Sequence, residues 1–317
     1  MNTVRLILLI ALVSVLIACS EIKPSSGDGF SPLDESAISD DEVKGKRYAL
    51  IIGNANYTGD PDILPLGNPV NDASDMRQVL QKANFEVVYR ENVAYRREMM
   101  AAVQAFIDKL QPGYVGLFYY AGHAVQVKGE NYLIPTQAQL PSETELEYEA
   151  MPAQYVLDKM EKVGNEFNII ILDACRDNPF DKKKGKRGFV VKERGGLAAM
   201  RHPKGSIIAF ATSPDKTAED GTGRNGIYTK HLLRAINLPG LTLEEMFKQV
   251  RKAVQDETNA KQIPWENTSF TGRFCFKGCE FSKSTGEARR QVEKAFMEVE
   301  EVKERHQKEE LYMPPAN

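Results

Sequence analysis

Five short apolar runs, rich in β-branched and aromatic residues, alternate with segments whose apolar residues recur three and four positions apart. Such runs are typical of buried strands, and such spacing is typical of amphipathic helices. Strands that alternate with helices pair in parallel through right-handed crossovers, so the sequence predicts an α/β domain with a mainly parallel central sheet flanked by helices on both faces. The predicted strands are Tyr48 to Asn54, Phe85 to Tyr89, Val115 to Tyr120, Asn168 to Leu172 and Ser206 to Ala211, and helical spacing marks residues 76–83, 99–110, 156–160, 228–236 and 243–256.

Composition divides the 317 residues into four parts. Residues 1–18 form a signal peptide, and residues 19–46 are rich in Ser, Asp, Gly and Pro, a composition that cannot bury enough apolar surface to order itself. Residues 47–277 carry nearly all of the strand and helix patterns and are long enough for a sizeable core. Residues 278–317 mix both charge signs densely, with apolar residues at helical spacing. We therefore expect one folded domain between a flexible tether and a charged C-terminal helix or tail.

The first 18 residues have the features of an export signal. Arg5 precedes an unbroken apolar run that stops at Cys19, and this run is shorter than the about 20 apolar residues that a bilayer-spanning helix needs. The sequence LIAC at its end resembles the cleavage box of bacterial lipoproteins, which implies that Cys19 is lipidated. Ser20 resembles an outer-membrane sorting signal, which implies an envelope protein held by its lipid anchor on the periplasmic face of the outer membrane. An uncleaved signal anchor is the alternative.

Charge and glycine content exclude some functions. The net charge of −3 at pH 7 argues against a general nucleic-acid binder. The sequence GNANY ends a predicted strand, but it lacks the further glycines and the lysine of a nucleotide-binding loop. We find no acidic cluster that would hold calcium, so we expect neither a cofactor nor a metal.

The four cysteines have different predicted fates. Cys275 and Cys279 are close enough in sequence for a disulfide that closes a small loop in an oxidising compartment. A zinc site is the alternative, but it needs more ligands than this stretch supplies. Cys175 stands alone among polar residues.

Two predicted strands run directly into reactive side chains. The third is followed by Ala-Gly-His, ending at His123, and the fourth by Asp-Ala-Cys, ending at Cys175. Ligands of open α/β sheets bind beyond the carboxyl ends of the strands, so these two residues share one crevice if the strands are neighbours. An imidazole beside a thiol takes its proton and makes it a nucleophile. The alternative is that Cys175 is only a small buried apolar residue.

A family resemblance strengthens this interpretation. The sequences YALIIGNANY, GLFYYAGHAVQ, ENYLIP, IIILDACRDNPF, IIAFATSP, AEDGTGRNGIYT and IPWENTSFTGRF occur in the order found in bacterial caspase-like peptidases of the paracaspase, metacaspase and orthocaspase group, over about residues 47–276. The resemblance implies that Cys175 is the nucleophile and that His123, 52 positions earlier (175 minus 123), is its base. The oxyanion hole would use the backbone N–H groups of Cys175 and Ala124. Most relatives have glycine at position 124, and alanine restricts φ there.

The same resemblance implies an acidic S1 pocket. The matching positions are Asp72, Asp173 and Asp220, with Glu219 as an alternative to the last. Carboxylates bind a guanidinium through paired, charge-assisted hydrogen bonds, so we expect protein or peptide substrates cleaved after Arg or Lys. Other roles remain open, because Asp72 could cap a helix and Asp220 could sit in an ordinary turn. Asp173, at a buried strand end, needs a partner in either case.

Two further questions stay open at the level of the sequence. The basic segment 181–196 is either a solvated loop or a linker that the enzyme cleaves in itself. A Cys-His endopeptidase is the leading function, a catalytically silent caspase-like binding module is the main alternative, and a purely structural lipoprotein is the third. A homodimer is one partner state to test.

Overall fold

The computed structural model describes residues 45–165, 167–175, 197–201, 205–213 and 223–279, and of Cys175 it describes the backbone alone. Cys19, Glu219, Asp220, the basic segment 181–196 and residues 280–317 lie outside the described residues. The predictions of a lipid anchor, of self-cleavage and of a C-terminal helix therefore stay predictions. Within these ranges, no helix has both the length and the apolar character needed to cross a bilayer.

The described residues form strands and helices that alternate along the chain. The strands are β1 (Arg47–Gly53), β2 (Phe85–Glu91), β3 (Val115–Val127), β4 (Glu130–Leu133), β5 (Met151–Pro152), β6 (Phe167–Cys175), β7 (Ser206–Phe210) and β8 (Trp265–Thr268). The helices are α1 (Pro69–Lys82), α2 (Arg96–Ile107), α3 (Glu143–Glu149), α4 (Ala153–Lys162), α5 (Ile227–Ile236) and α6 (Leu243–Glu257).

The main sheet has the strand order β2-β1-β3-β6-β7-β8. Its first five strands pair in parallel, and β8 joins β7 antiparallel. The short strands β4 and β5 continue from the end of β3 as an antiparallel extension. This topology confirms the predicted α/β fold with a mainly parallel sheet.

Each face of the sheet is covered by its own helices, and the side chains of the strands alternate between the two cores. On β3, Leu117 and Tyr119 pack with α1, α5 and α6, whereas Phe118 and Tyr120 pack with α2 and α4. Burial on both faces explains why the strands read as continuous apolar runs instead of alternating with polar residues.

The strands that carry the reactive residues are longer than the sequence predicts. β3 continues beyond Tyr120 to Val127, because its extension pairs with β4, and β6 continues beyond Leu172 to Cys175. Gly122 and His123 interrupt the apolar run, which is why the sequence places the end of β3 too early. Both reactive residues thus lie on strand backbone and not in free loops.

Arg47 connects the start of β1 to the C-terminal segment of the domain around Phe276. Its Nη1 donates hydrogen bonds to the backbone oxygens of Ala83 (3.1 Å) and Phe276 (3.0 Å), and its guanidinium lies 4.9 Å from the ring centroid of Phe274. Cys275 and Cys279 are joined by a disulfide at this end of the domain, with their Cα atoms 5.2 Å apart.

Candidate active site

Strand register places His123 and Cys175 side by side. β3 and β6 are parallel neighbours, and His123 is the Cα partner of Cys175 at the last position of their ladder. Neighbouring strands lie about 5 Å apart, so the two backbones meet at the carboxyl edge of the sheet, where α/β proteins bind ligands. The backbones of His123 and Cys175, which the sequence predicts to face one crevice, are therefore neighbours.

A backbone carbonyl orients the imidazole of His123. The side chain is buried, and Nε2 lies 2.8 Å from the backbone oxygen of Leu64. A carbonyl oxygen can only accept, so Nε2 carries the hydrogen of the neutral ring. The lone pair is then on Nδ1, which is the nitrogen able to take a proton.

Ladder geometry directs the N–H of Ala124 toward β6. Ile134 donates its N–H to the oxygen of His123 at 3.1 Å, so these two residues form a hydrogen-bonded pair of the antiparallel ladder. Because such pairs alternate with non-hydrogen-bonded pairs, the next pair, Ala124 and Leu133, is not hydrogen-bonded, and its N–H groups point away from the partner strand. The oxygen of Ile134 accepts hydrogen bonds from Asn54 and Tyr57, which follow β1, so β4 lies on the β1 side of β3. The N–H of Ala124 therefore faces the opposite side, on which β6 lies. Ala124 does not have a positive φ, so an alanine at this position is not under backbone strain.

Asp72 and Asp173 come together beside Gly226. Asp72 lies on α1 and Asp173 on β6, two residues before Cys175. A Cβ built on Gly226 would lie 3.4 Å from Oδ2 of Asp72 and 3.8 Å from Oδ2 of Asp173. Both carboxylates thus border the same small volume, and glycine keeps that volume open.

Each carboxylate is held by a specific donor. Gly226 donates its N–H to Oδ1 of Asp72 at 3.1 Å. Thr229 donates its hydroxyl to Oδ2 of Asp173 at 2.5 Å, and the buried hydroxyl of Tyr119 lies 2.6 Å from the same threonine oxygen. Because Thr229 gives its proton to Asp173, Tyr119 donates to Thr229. The partner that Asp173 was expected to need is this chain of hydroxyls.

An ion pair fixes the segment that contains Gly226 against α1. Arg224 binds both oxygens of Asp75, with its Nε at 2.9 Å and its Nη2 at 3.1 Å. Asn225 also donates to Asp75, at 3.0 Å, and Asn71 donates to the oxygen of Arg224. These contacts keep the N–H of Gly226 on Asp72.

Ionisation of Asp72 is unfavourable in the folded protein. Burial and, next, the negative charge of Asp173 raise the pKa of Asp72 from 3.8 to about 8, against the hydrogen bonds from Asn225 and Gly226. An ionised carboxylate in such a place is unfavourable unless a cation joins it. Asp72 therefore keeps its proton at neutral pH in the folded protein.

Asp72→Asn is expected to stabilise the folded chain at neutral pH. In the wild type the folded state holds the Asp72 proton up to about pH 8, whereas the unfolded state releases it near pH 4. The free energy of unfolding therefore falls as the pH rises between these values. Asp72→Asn has no such proton to lose, so its free energy of unfolding should exceed that of the wild type by about 1 kcal/mol or more at pH 8. Below pH 4 the two proteins should be equally stable. Thermal unfolding of both proteins at pH 3.5 and pH 8 measures the difference.

Asp75→Asn is the matched control, with the opposite sign. The hydrogen bond and charge of Arg224 lower the pKa of Asp75, so Asp75 stabilises the fold above its unfolded pKa and loses this effect as the pH falls. The variant should be less stable than the wild type at pH 8. Equal melting temperatures for Asp72→Asn and the wild type at pH 8 would contradict the assignment of a raised pKa to Asp72.

The structure decides one alternative role, and two of the predicted site residues lie outside its described range. Asn68 is the N-cap of α1 and Asp72 lies within the helix, where it bonds Gly226, so the capping role considered for Asp72 is wrong. Asp220 and Glu219 lie outside the described residues. Among those described, no group of three or more His, Cys, Asp and Glu side chains is arranged to hold a metal.

Sequence reasoning missed three groups of this site. The oxygen of Leu64 and the N–H of Gly226 are backbone groups, and Thr229 acts through a hydroxyl. Gly226 and Thr229 both lie in the AEDGTGRNGIYT sequence, which contributes to the family resemblance, but neither carries a charge that marks it as part of the site. Leu64 carries no chemical signal of its own.

A histidine beside a cysteine is the pair by which cysteine peptidases activate their nucleophile. Residues 46–275 match the family model described as caspase domain, Peptidase_C14. The chain belongs to this family, and this membership is consistent with cysteine peptidase activity.

Two curated relatives resemble part of the chain. Mucosa-associated lymphoid tissue lymphoma translocation protein 1 of Homo sapiens is 30% identical over 151 residues, which cover 47% of this chain and 18% of the human protein. Its homolog of Mus musculus is 32% identical over 136 residues, which cover 43% of this chain and 16% of the mouse protein. The aligned region is thus less than a fifth of the length of either relative.

A solved structure shares the fold. The crystal structure of caspase-1 from Spodoptera frugiperda matches with a TM-score of 0.55, covering 80% of this chain and 98% of that chain. The sequence identity is 16%, so this similarity concerns the fold alone.

Proposed function

We propose that the chain is a cysteine endopeptidase in which His123 and Cys175 form a catalytic dyad that cleaves after Arg or Lys. The observation that carries the proposal is the register of β3 and β6, which makes these two residues neighbours at the carboxyl edge of the sheet. Membership of the caspase domain family supports the same reaction class.

The reaction begins with activation of the thiol. Nδ1 of His123 takes the proton of the Cys175 thiol, and the thiolate attacks the carbonyl carbon of the scissile bond. Charge that develops on the carbonyl oxygen is stabilised by the N–H groups of Cys175 and Ala124. The orientation of the Ala124 N–H toward β6 supports this role.

Acyl transfer completes the cycle. The imidazolium of His123 gives its proton to the leaving amine as the C–N bond breaks, which leaves a thioester on Cys175. Water then attacks the thioester carbon, His123 takes its proton, and the new carboxylate leaves with the thiol restored. Leu64 keeps the hydrogen on Nε2, so Nδ1 serves in every proton transfer.

The acidic pair supports a preference for a basic residue before the scissile bond. Asp173 lies two positions before Cys175 on the same strand, and Asp72 borders the same volume beside Gly226. A guanidinium there could bond both carboxylates through charge-assisted hydrogen bonds. Entry of the cation would then lower the pKa of Asp72.

Hydrolysis of fluorogenic peptides by the full-length chain tests the proposal. We expect peptides ending in Arg or Lys to be cleaved and a matched peptide ending in Asp to be left intact. An Arg-chloromethylketone should label the wild type and fail to label Cys175→Ala. Cleavage of the Asp peptide alone would overturn the basic specificity, and absence of both cleavage and labelling would favour a silent binding module.

A further inference from the structure

The GNANY sequence at the end of β1 has no part in the chemistry described so far, yet the loop it opens touches His123 twice. The hydroxyl oxygen of Tyr57 accepts the backbone N–H of His123 at 2.8 Å. The oxygen of Leu64, further along the same loop, binds the ring nitrogen Nε2. One loop thus contacts both the backbone and the imidazole of the catalytic base.

A second tyrosine holds the other side of the histidine backbone. Tyr120 donates its hydroxyl proton to the oxygen of His123 at 2.7 Å, and its hydroxyl oxygen lies 3.3 Å from that of Tyr57. The ring of Tyr57 also packs against the imidazole, with centroids 4.6 Å apart and planes at 64°. The N–H, the C=O and the ring of His123 are therefore all constrained by these two tyrosines.

Gly122 makes this arrangement sterically possible. A Cβ at this position would lie 2.6 Å from the hydroxyl oxygen of Tyr57 and 2.8 Å from that of Tyr120. The φ of Gly122 is 151°, a conformation that side-chain-bearing residues rarely adopt. The glycine before the histidine thus allows both hydroxyls to reach the neighbouring peptide.

The loop that carries Tyr57 is itself fixed by two asparagines. Oδ1 of Asn92 accepts the N–H groups of Ala55 and Asn56, each at 3.0 Å. Asn54 accepts the N–H of Val93 at 2.9 Å and donates to the oxygen of Ile134 at 3.0 Å. Tyr57 is buried, so its hydroxyl is presented to His123 from a rigid support.

We infer that Tyr57 is a positioning residue for His123: its hydroxyl holds the backbone N–H of the histidine and thereby aims the imidazole at the thiol. This inference rests on the proposed Cys-His chemistry. Loss of the hydroxyl leaves a buried N–H without its acceptor, so the histidine backbone must shift to find another. A shift of about 1 Å at a catalytic group can cost on the order of a hundredfold in rate.

Tyr57→Phe in the full-length chain tests the inference with two readouts. We expect kcat for the Arg peptide to fall tenfold to a hundredfold, on the order of the misplacement effect, with KM unchanged, because Tyr57 acts through His123 and not on the substrate. We also expect iodoacetamide alkylation of Cys175, followed by mass spectrometry, to move to higher pH, because a misplaced imidazole stabilises the thiolate less. Tyr120→Phe should act in the same direction.

Tyr132→Phe is the matched control. Tyr132 belongs to the same apolar cluster as Tyr57, and within the described chain its hydroxyl is not bonded to His123. It should keep the wild-type kcat and alkylation profile. The inference would be overturned if Tyr57→Phe kept the wild-type kcat and the wild-type pH profile of alkylation. It would also be overturned if the fall in kcat were fully explained by unfolding of the variant at the assay temperature. If the wild type cleaves no peptide, the proposed function fails, while the alkylation profile still tests whether Tyr57 controls the histidine.

Discussion

His123→Ala is expected to lower kcat/KM for the Arg peptide by at least about a thousandfold, because one imidazole both activates the thiol and protonates the leaving amine. Cys175→Ala should be at least as impaired. The two residues act as a unit, so the double variant should be no slower than the worse single variant. Fluorescence assays of peptide cleavage by the wild type and the three purified variants give the ratio of kcat/KM between the wild type and each variant.

His231→Gln provides the comparison for loss of a histidine. His231 is also buried, but its Nε2 is 2.7 Å from Glu257 and it joins α5 to α6. This variant should retain its kcat/KM even if its melting temperature falls. An active His123→Ala protein with wild-type kinetics would remove the imidazole from the mechanism.

Asp173→Asn is expected to lower kcat/KM for the Arg peptide by on the order of a hundredfold or more, because it removes a half-buried carboxylate that would pair with the guanidinium. A peptide with citrulline in place of Arg separates charge from shape, since citrulline is nearly isosteric but neutral. The wild type should strongly prefer Arg to citrulline. In Asp173→Asn the ratio of kcat/KM for the Arg peptide to that for the citrulline peptide should fall toward one, chiefly because the Arg peptide is cleaved more slowly.

Asp108→Asn is the control for loss of an aspartate. Asp108 is an exposed residue that follows α2 as its C-cap and accepts a hydrogen bond from Gln104. Its substitution should leave the preference for Arg over citrulline unchanged. If Asp173→Asn also keeps the wild-type ratio, the acidic pair does not bind the basic side chain.

The fold was largely predictable because its strands are buried on both faces. The five continuous apolar runs became β1, β2, β3, β6 and β7, and the helical patterns became α1, α2, α4, α5 and α6. The remaining elements are short, and β8 joins the sheet antiparallel. A four-residue strand such as Trp265–Thr268 has too little periodicity to stand out, and its position depends on a partner far away in sequence.

The candidate site was predictable where function depends on a reactive side chain. His123, Asp173 and Cys175 follow apolar runs and are chemically conspicuous, and parallel pairing brings such strand ends together. The groups that orient them were not predictable, because the oxygen of Leu64 belongs to the backbone and the hydroxyl of Tyr57 lies in a loop. Their roles arise only from the folded path of the chain between β1 and α1.

The contact of Arg47 with Phe276 has a consequence for the order in which this domain matures. The two residues are 229 positions apart, and a chain leaves the ribosome or a translocation pore from its N-terminus. Ala83, one acceptor of the Arg47 guanidinium, is synthesised early, but Phe276, another acceptor, is synthesised near the end of the domain. A nascent chain therefore cannot complete the contacts of its first strand until nearly all of residues 47–276 have been synthesised, so the domain finishes folding late in its own synthesis.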